Sequence, residues 1–434
     1  MSRQLIADYV YFFHMTVFSP IDDGFADLSD PDAFVRGAPH NTFARLRRDD
    51  PIAWCDWSGG KGFWSVTRHA DIIALNRDHQ LISSARGIRM EDQTYEEYLA
   101  RRTFQETDPP EHTRVRMLVT RAFSKAAIAQ FEAQIRRISD EIVGQALAKK
   151  EGDLVAEIAR QLPMRMLGQI LGTPEADLPW LVSKGDQLIA NSDPEFTDYV
   201  LDQANTDAYR LMPFRSPAGV ELYDYARQLM QDKARAGDTN SILHLILQPD
   251  DNGNVITETE FRNFFCLLVA AGNDTTRYTI AGALHAMANQ PGLMSTLAKA
   301  DRATLDLAAD EFVRWASPAM HFRRTVTRDF ELHGSEMKAG DKIVLWFVSG
   351  NFDESAFERP FEVNPARKPN RHLGFGQGGP HLCLGMWLAR LEVRVVLEAL
   401  RDKISRIEQT GPHEFVRSNF LGGIKHLPAR LSGH

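Results

Sequence analysis

The chain has 434 residues, of which 43% are apolar and 25% charged; these values exclude a disordered, collagenous or disulfide-framework protein. Fifty basic residues stand against 58 acidic ones, for a formal charge of −8, so overall charge does not suit the chain to coat nucleic acid, and any surface for an acidic partner must be a local basic patch. Three cysteines point to a reducing compartment. Residues 9–18 are apolar and aromatic but His14 interrupts them, short of the ~20 apolar residues a membrane span needs. A soluble cytoplasmic protein is expected, with residues 1–40 as an N-terminal extension packed on the body.

In chain order, residues 43–48 read as a short helix. Residues 63–67 read as a strand after the turn signal Gly59-Gly60-Lys61-Gly62. Residues 71–76 return to helical spacing. Residues 83–107 are polar and mixed, and read as a long loop with a helical turn, the kind of segment that usually carries function. Asp108 reads as the N-cap of a helix opened by Pro109 and Pro110, and helices follow to residue 172. Thr257 and Glu260 form a capping box, and no proline follows until Pro291. That allows a helix of roughly 30 residues through the middle of the protein. Another helix ends at Ala316, before Ser317-Pro318. Residues 330–332 and 342–347 read as short strands, 374–379 as a glycine-rich loop, 384–400 as a last helix and 422–431 as a short hairpin. The fold class is mainly α with a small β component.

The strongest chemical signal is Phe375-Gly376-Gln377-Gly378-Gly379-Pro380-His381-Leu382-Cys383-Leu384-Gly385. It brings one cysteine to the start of a helix, where unpaired N–H groups and the helix dipole favour an anion. A lowered thiol pKa is expected there. Zinc is disfavoured, since no Cys-x-x-Cys or His pair is near; a single thiolate in an amide-rich loop suits one axial bond to haem iron. Cys55 and Cys266 read as inert. On the long helix, Ala271-Gly272-Asn273-Asp274-Thr275-Thr276 puts poor helix formers in an apolar segment. The Thr275 hydroxyl can bond the Ala271 carbonyl, Gly272 leaves room for a small molecule, and Asp274 beside Thr275 is an acid–alcohol pair suited to moving protons. By itself the stretch could equally be a kink that satisfies backbone groups. Glu311 and Arg314 share one helix face, a common pattern on solvated helices. His112 and Arg116 also share one face, and by spacing alone form an ordinary basic surface.

Taken together, and in this order from about Asn41 to the C-terminus, these motifs resemble the cytochrome P450 family. The resemblance implies a helical triangular prism with small β-sheets, over a single haem-thiolate monooxygenase domain at residues 41–434. It implies haem b bound through Cys383, with Ala271, Phe375 and Gly385 around it. His112, Arg116, Arg324 and His381 match the partners of the haem propionates, Arg324 being chosen over Arg323 by its spacing to Asp329. Asp274 and Thr275 match the residues that deliver protons to bound dioxygen. Glu311, Arg314 and Arg367 match a structural salt-bridge network. The family pattern places substrate-pocket walls at Ile88, Met90, Val269, Ala270, Met320, His321, Phe420 and Leu421.

One departure stands out: Phe375 precedes Cys383 by eight residues, where most members have seven. The longer loop, the stretch 272–277, residues 191–195 and Gly422-Gly423-Ile424-Lys425 resemble a bacterial subgroup that oxidises terminal carbons of sterol side chains and methyl-branched lipids. Related members oxidise linear alkanes or terpenoids. No G-x-G-x-x-G flavin fingerprint follows Cys383, so the resemblance implies electrons from a ferredoxin and an NAD(P)H-dependent ferredoxin reductase. Arg114, Arg121, Lys125, Arg390 and Arg394 are expected to form the docking patch. The alternatives are a peroxide-driven peroxygenase, which typically lacks the acid–alcohol pair, and a non-catalytic haem-thiolate binding or sensing protein, which has no need of it.

Overall fold

The computed structural model describes residues 25–201, 203–236, 242–250 and 253–434; the apolar run at 9–18 lies outside them. The elements in chain order are α1 (His40–Asp49), β1 (Ile52–Cys55), β2 (Phe63–Val66), α2 (His69–Arg77), β3 (Ile82–Ser83), α3 (Tyr95–Arg101), α4 (Glu111–Thr120) and α5 (Glu132–Lys149). Then come β4 (Glu151–Asp153), α6 (Gln161–Leu171), α7 (Leu178–Ile189), α8 (Pro217–Ala236), α9 (Glu258–Asn289), α10 (Arg302–Ala316), β5 (Phe322–Val326), β6 (Phe330–Leu332), β7 (Ser335–Met337) and β8 (Lys342–Leu345). The chain ends with α11 (Met386–Lys403), β9 (Ile404–Gln409), β10 (Glu414–Phe415), β11 (Ile424–His426) and β12 (Pro428–Gly433).

The long helix α9 organises the molecule. The Thr257 hydroxyl accepts from the Glu260 N–H at 3.2 Å, and the Glu260 carboxylate accepts from the Thr257 N–H at 3.0 Å, so two end donors are satisfied at once. Its 32 residues run about 48 Å. From Tyr278 to Met287 every residue is buried, because α6, α7, α8, α10 and α11 pack around it. A five-stranded sheet in the order β1-β2-β8-β5-β3 lies to one side; β2 and β8 run parallel and the other neighbours antiparallel. Phe34 of the N-terminal segment is fully buried and stacks on Trp346, with ring centroids 5.9 Å apart. No helix among the described residues is long and apolar enough to cross a membrane.

Four local expectations change. The segment 83–107 contains a true helix, α3, started by a Thr94/Glu97 capping box. Asp108 does not cap α4: its carboxylate accepts from the Ser84 N–H at 2.9 Å and from the Ser83 hydroxyl, pinning the preceding loop. The strand at 342–347 stops at Leu345, and Phe347–Asn351 turns into a short helix. Residues 422–431 do not fold on themselves. The strand β11 pairs with β10, whereas β12 pairs with β9 and β4. No tight-turn pair separates Ile424 from Leu431, so the chain runs extended from one sheet into the next.

Candidate active site

The loop before α11 is built by close approach. A Cβ at Gly374 would lie 2.6 Å from Val313 Cγ1, and one at Gly379 would lie 2.2 Å from the Asn76 carbonyl. Gly376 and Gly378 take φ of +68° and +101°, where side chains are strained. Asn76 on α2 donates through Nδ2 to the carbonyls of Gly376 (3.1 Å) and Gln377 (3.0 Å). The Cys383 N–H donates to the Phe375 carbonyl at 2.9 Å, and Gly385 caps α11. The Cys383 side chain is thereby opened to a cavity that it shares with Ala271, Phe375 and Gly385.

The thiol differs from expectation. Burial pushes it up, and this outweighs the Gly385 N–H and the cations Arg116 and Arg390, which pull it down. Helix-start amides alone do not offset desolvation of a lone thiolate.

The cavity encloses about 1540 Å³ of empty space, its open mouth included. One wall is α9: Leu267, Leu268, Ala271, Gly272, Thr275, Thr276 and Thr279 line it at helical spacing,. Phe104, Phe123, Leu167, Ile170, Ile189, Phe214, Ala319, Phe322, Phe420 and Leu421 supply further apolar walls. Of the expected walls, Phe420 and Leu421 are in place, and Ile88 lines an adjoining recess that shares Gln105, Phe214 and Leu267 with the main cavity. The other five do not line it. Val269 and Ala270 fall on the opposite face of α9, where Val269 packs on Gly185 of α7. Met90 is buried against Asn419. Met320 packs at Gly422, while His321 lies between Trp346 and Phe420 and shares a hydrogen bond with the Asn419 carbonyl (2.7 Å). The neighbours Ala319 and Phe322 take the cavity-facing positions instead.

Four cationic or donor groups gather at one rim. The rings of His112 and His381 lie 4.2 Å apart. Burial, then the cations around them, pushes His112 down to about 4 and His381 to about 2. Arg116 and Arg324 are among those cations. Arg116 donates to the Leu382 carbonyl at 2.5 Å; Arg324 donates to the Arg323 carbonyl at 2.8 Å. Strand alternation sends Arg323 the other way, to the Glu91 carbonyl and Asp92,. Both ring nitrogens of His112 and Nδ1 of His381 are buried without a hydrogen-bond partner among the described residues, and neither Arg116 nor Arg324 forms an ion pair there. Buried ring nitrogens without partners, beside cations without a carboxylate, fit an anionic ligand. A Cβ at Gly385 would meet nothing within 4 Å, so space as well as charge suits a macrocycle with two carboxylates.

The Thr275 hydroxyl donates to the Ala271 carbonyl at 3.2 Å, as expected. Asp274 is 1% exposed and does not face the cavity. It pairs with Arg277 at 3.0 Å, and Arg277 pairs with Asp186 of α7 at 2.8 Å; Arg160 closes on the other oxygen of Asp186. Burial pushes the Asp274 carboxyl up to about 7, against the pull of Arg277. The sequence reading missed Glu392 on α11. It is 1% exposed, lines the cavity beside Thr276, and neither carboxyl oxygen has a hydrogen-bond partner among the described residues. Burial pushes it up to about 8, against the pull of the neighbouring Thr276 hydroxyl.

The Glu311 network is buried. Arg314 donates to both Glu311 oxygens at 2.8 Å, and Arg367 Nε donates to both at 3.0 and 2.9 Å. Asn370 and the Asn364 N–H add bonds of 3.1 and 2.9 Å. Of the expected docking patch, Arg394 is 2% exposed and tied to Glu132, Asp306 and Glu398, so it belongs to the core. Arg114 pairs with Glu260, Arg390 with Asp310, and Arg121 donates to the carbonyls of Leu245, Gln248 and Pro249. Lys125 lies over the Trp387 ring.

Comparison with known proteins agrees with this geometry. A sequence model described as cytochrome P450 matches residues 195–402. The chain is 33% identical to a steroid C26-monooxygenase of Mycolicibacterium smegmatis over 94% of each chain. It is 34% identical to a methyl-branched lipid omega-hydroxylase of Mycobacterium tuberculosis over 90% of each. Among solved structures, a Mycobacterium marinum cytochrome P450 in complex with pseudoionone superposes with a TM-score of 0.81 at 33% identity, covering 90% of this chain and 94% of that one. A glycine-built cysteine loop, an apolar cavity under a long central helix and this likeness along nearly the whole chain lead to one assignment: the chain belongs to the cytochrome P450 family, as a haem b monooxygenase.

Proposed function

We propose that residues 41–434 form one monooxygenase domain that inserts an oxygen atom from O2 into a C–H bond of a sterol side chain, a methyl-branched lipid or a terpenoid. Electrons come from a ferredoxin reduced by an NAD(P)H-dependent reductase. The observation that carries the reading is the meeting of Cys383 and Thr275 on one apolar cavity.

In this reading Cys383 is the iron ligand, and His112, Arg116, Arg324 and His381 hold the propionates. The haem, when bound, supplies the oxygen activation and C–H cleavage. The protein does the rest. Leu267, Leu268, Leu167, Ile170, Phe420 and Leu421 select a bulky hydrophobic substrate, at roughly 25 cal/mol per Å2 buried, and exclude water. Thr275 holds a proton at its hydroxyl on the cavity wall, and Asp274 replenishes it from the α7 side. The sterol and branched-lipid choice is supported by the activities named for the two mycobacterial relatives and by the longer cysteine loop.

The test is an optical titration of the ferric holoprotein with cholestenone, phytanic acid, a linear fatty acid, a monoterpene and a small methoxyarene, followed by product analysis with a ferredoxin system and with peroxide alone. A high-spin shift with the first two, and product only with the ferredoxin system, is expected. A shift and product with the methoxyarene alone would overturn the substrate class.

A further inference from the structure

The apolar cavity does not end in apolar residues. It adjoins the recess at Ile88, which shares Gln105, Phe214 and Leu267 with it and is lined by three arginines, Arg89, Arg101 and Arg215. Arg89 stands at the junction. Its guanidinium lies 4.7 Å from the centroid of Phe420 and 5.6 Å from that of Phe214, and both rings line the main cavity. Its hydrogen bonds go to neutral acceptors, the Asn191 Oδ1 at 3.2 Å and the Leu188 carbonyl at 3.3 Å. Among the described residues no carboxylate oxygen lies within ion-pair distance of Arg89 or Arg101. Arg101 is satisfied by Gln93 Oε1 at 3.0 Å. The Nε of Arg215 and the Nε2 of Gln93 are buried without hydrogen-bond partners among the described residues, while Arg215 pairs through its other end with Asp207 at 3.6 Å.

Two carboxylates share the recess, Glu91 and Glu106. Glu106 is engaged by the Thr103 N–H at 3.0 Å, and burial pushes its carboxyl up, toward the neutral form. Glu91 and Glu106 act on Arg89 and Arg101 only at longer range, and neither closes an ion pair with them. A cation removed from water without a carboxylate partner is costly, and its natural complement is an anion that arrives with the substrate. Planar guanidinium groups match a carboxylate in particular.

We infer that this recess receives the carboxylate of an amphipathic substrate, a long apolar molecule ending in an acid, whose hydrocarbon passes between Phe214 and Phe420 into the cavity. The carbon presented to oxidation is then at the end remote from the acid. The inference rests on the monooxygenase reading above and narrows its substrate class.

The experiment is a spectral titration of ferric holoprotein, at low and at physiological salt, with palmitate and methyl palmitate and with 5β-cholanoate and its methyl ester. The two pairs separate a linear from a steroidal body. The acid of at least one pair is expected to bind at least tenfold tighter than its ester. In Arg89→Gln that ratio falls to within about threefold, with ester affinity unchanged, and Arg89→Lys keeps an intermediate preference. An intact carbon monoxide spectrum shows that each variant is folded and loaded. Equal binding of acids and esters by the wild-type protein, or a preference that survives in Arg89→Gln, overturns the inference and leaves the monooxygenase reading standing. Absence of any spin shift with all four ligands overturns both the carboxylate site and the lipid or sterol reading.

Discussion

Glu311→Gln is the most demanding perturbation of the frame behind the cysteine. The carboxylate is fully buried and takes charge-assisted bonds from Arg314, also fully buried, and from Arg367, 7% exposed. Glutamine keeps the shape but leaves two guanidinium groups with no counter-charge, and points a donor at donors. Breaking a buried pair on one side costs about 3–5 kcal/mol. At about 2.1 cal/mol/K of unfolding entropy per residue, a chain of this size changes by ~0.9 kcal/mol per degree, so Tm should fall by about 3–5 °C. Because Arg367 and Asn370 lead directly into the Cys383 loop, haem retention should fall with it. The assay is thermal unfolding of the holoprotein by circular dichroism, with haem absorbance followed on the same ramp. Asp49→Asn, at the exposed Arg48–Asp49 pair, is the control and should leave Tm unchanged. A Glu311→Gln protein that melts within 1 °C of the parent and keeps its haem would refute the reasoning.

Cys383→Ala should lose the red-shifted Soret band of the reduced carbon monoxide complex, while Cys55→Ala and Cys266→Ala keep it; retention of the band in Cys383→Ala would remove the central assignment. Thr275→Ala should bind substrate normally but lower product formation roughly tenfold or more, against the 10²–10⁴ that a placed proton donor generally supplies, with the lost equivalents recovered as peroxide. Unchanged coupling between NAD(P)H and product would count against the hydroxyl. Glu392→Gln tests a pH dependence. The Glu392 carboxyl is raised from 4.5 to about 8, so its contribution to stability is complete below pH 4.5 and is lost as pH rises towards 8, on the order of 3–5 kcal/mol in all. The glutamine variant lacks that loss and should gain in Tm relative to the parent between pH 5 and 8.5. Parallel curves across that range would show that the carboxyl titrates normally.

Which parts of this could be read from the sequence follows from the range of the forces involved. The start of α9 was legible because Thr257 and Glu260 satisfy each other within one turn, and the Cys383 loop because its glycines answer local steric demands. The pocket walls were less legible. The positions Val269 and Ala270 came from the family pattern, yet helical periodicity carried through Thr275 selects Leu267, Leu268, Ala271 and Gly272, and that signal was available. Met320 and His321 each lie one position from a cavity-facing residue, Ala319 and Phe322 respectively, a small slip on an extended segment whose side chains alternate. The burial of Arg394, the orphaned Glu392 and the clamp of Asn76 on Gly376 and Gln377 depend on elements far apart in the chain, and no local pattern marks them. The rise of the Cys383 thiol has the same origin: the helix-start amides are local, while the desolvation that outweighs them comes from the whole fold.

The acid–alcohol pair shows how adjacency in sequence becomes separation in space. Ala271, Gly272, Thr275, Thr276 and Thr279 mark the stripe of the helix that faces the cavity, and Asp274, about 100° back from Thr275 and about 200° from Thr276, falls outside it. Thr275 takes the cavity wall, held by the Ala271 carbonyl, and Asp274 takes the interface with α7. There it begins a buried charged string through Arg277 and Asp186 to Arg160, whose side chain is 36% exposed. In the proposed relay Asp274 is the proton-exchanging member of that string, since Arg277 and Arg160 keep their protons and serve to hold the carboxyl behind the wall that Thr275 presents to the cavity. A carboxyl held near 7 by burial is well matched to such a task, since it can both accept and release a proton at neutral pH. The pair is thus less a single catalytic centre than the two faces of one helix turn, one turned to the ion-pair string and the other to the substrate.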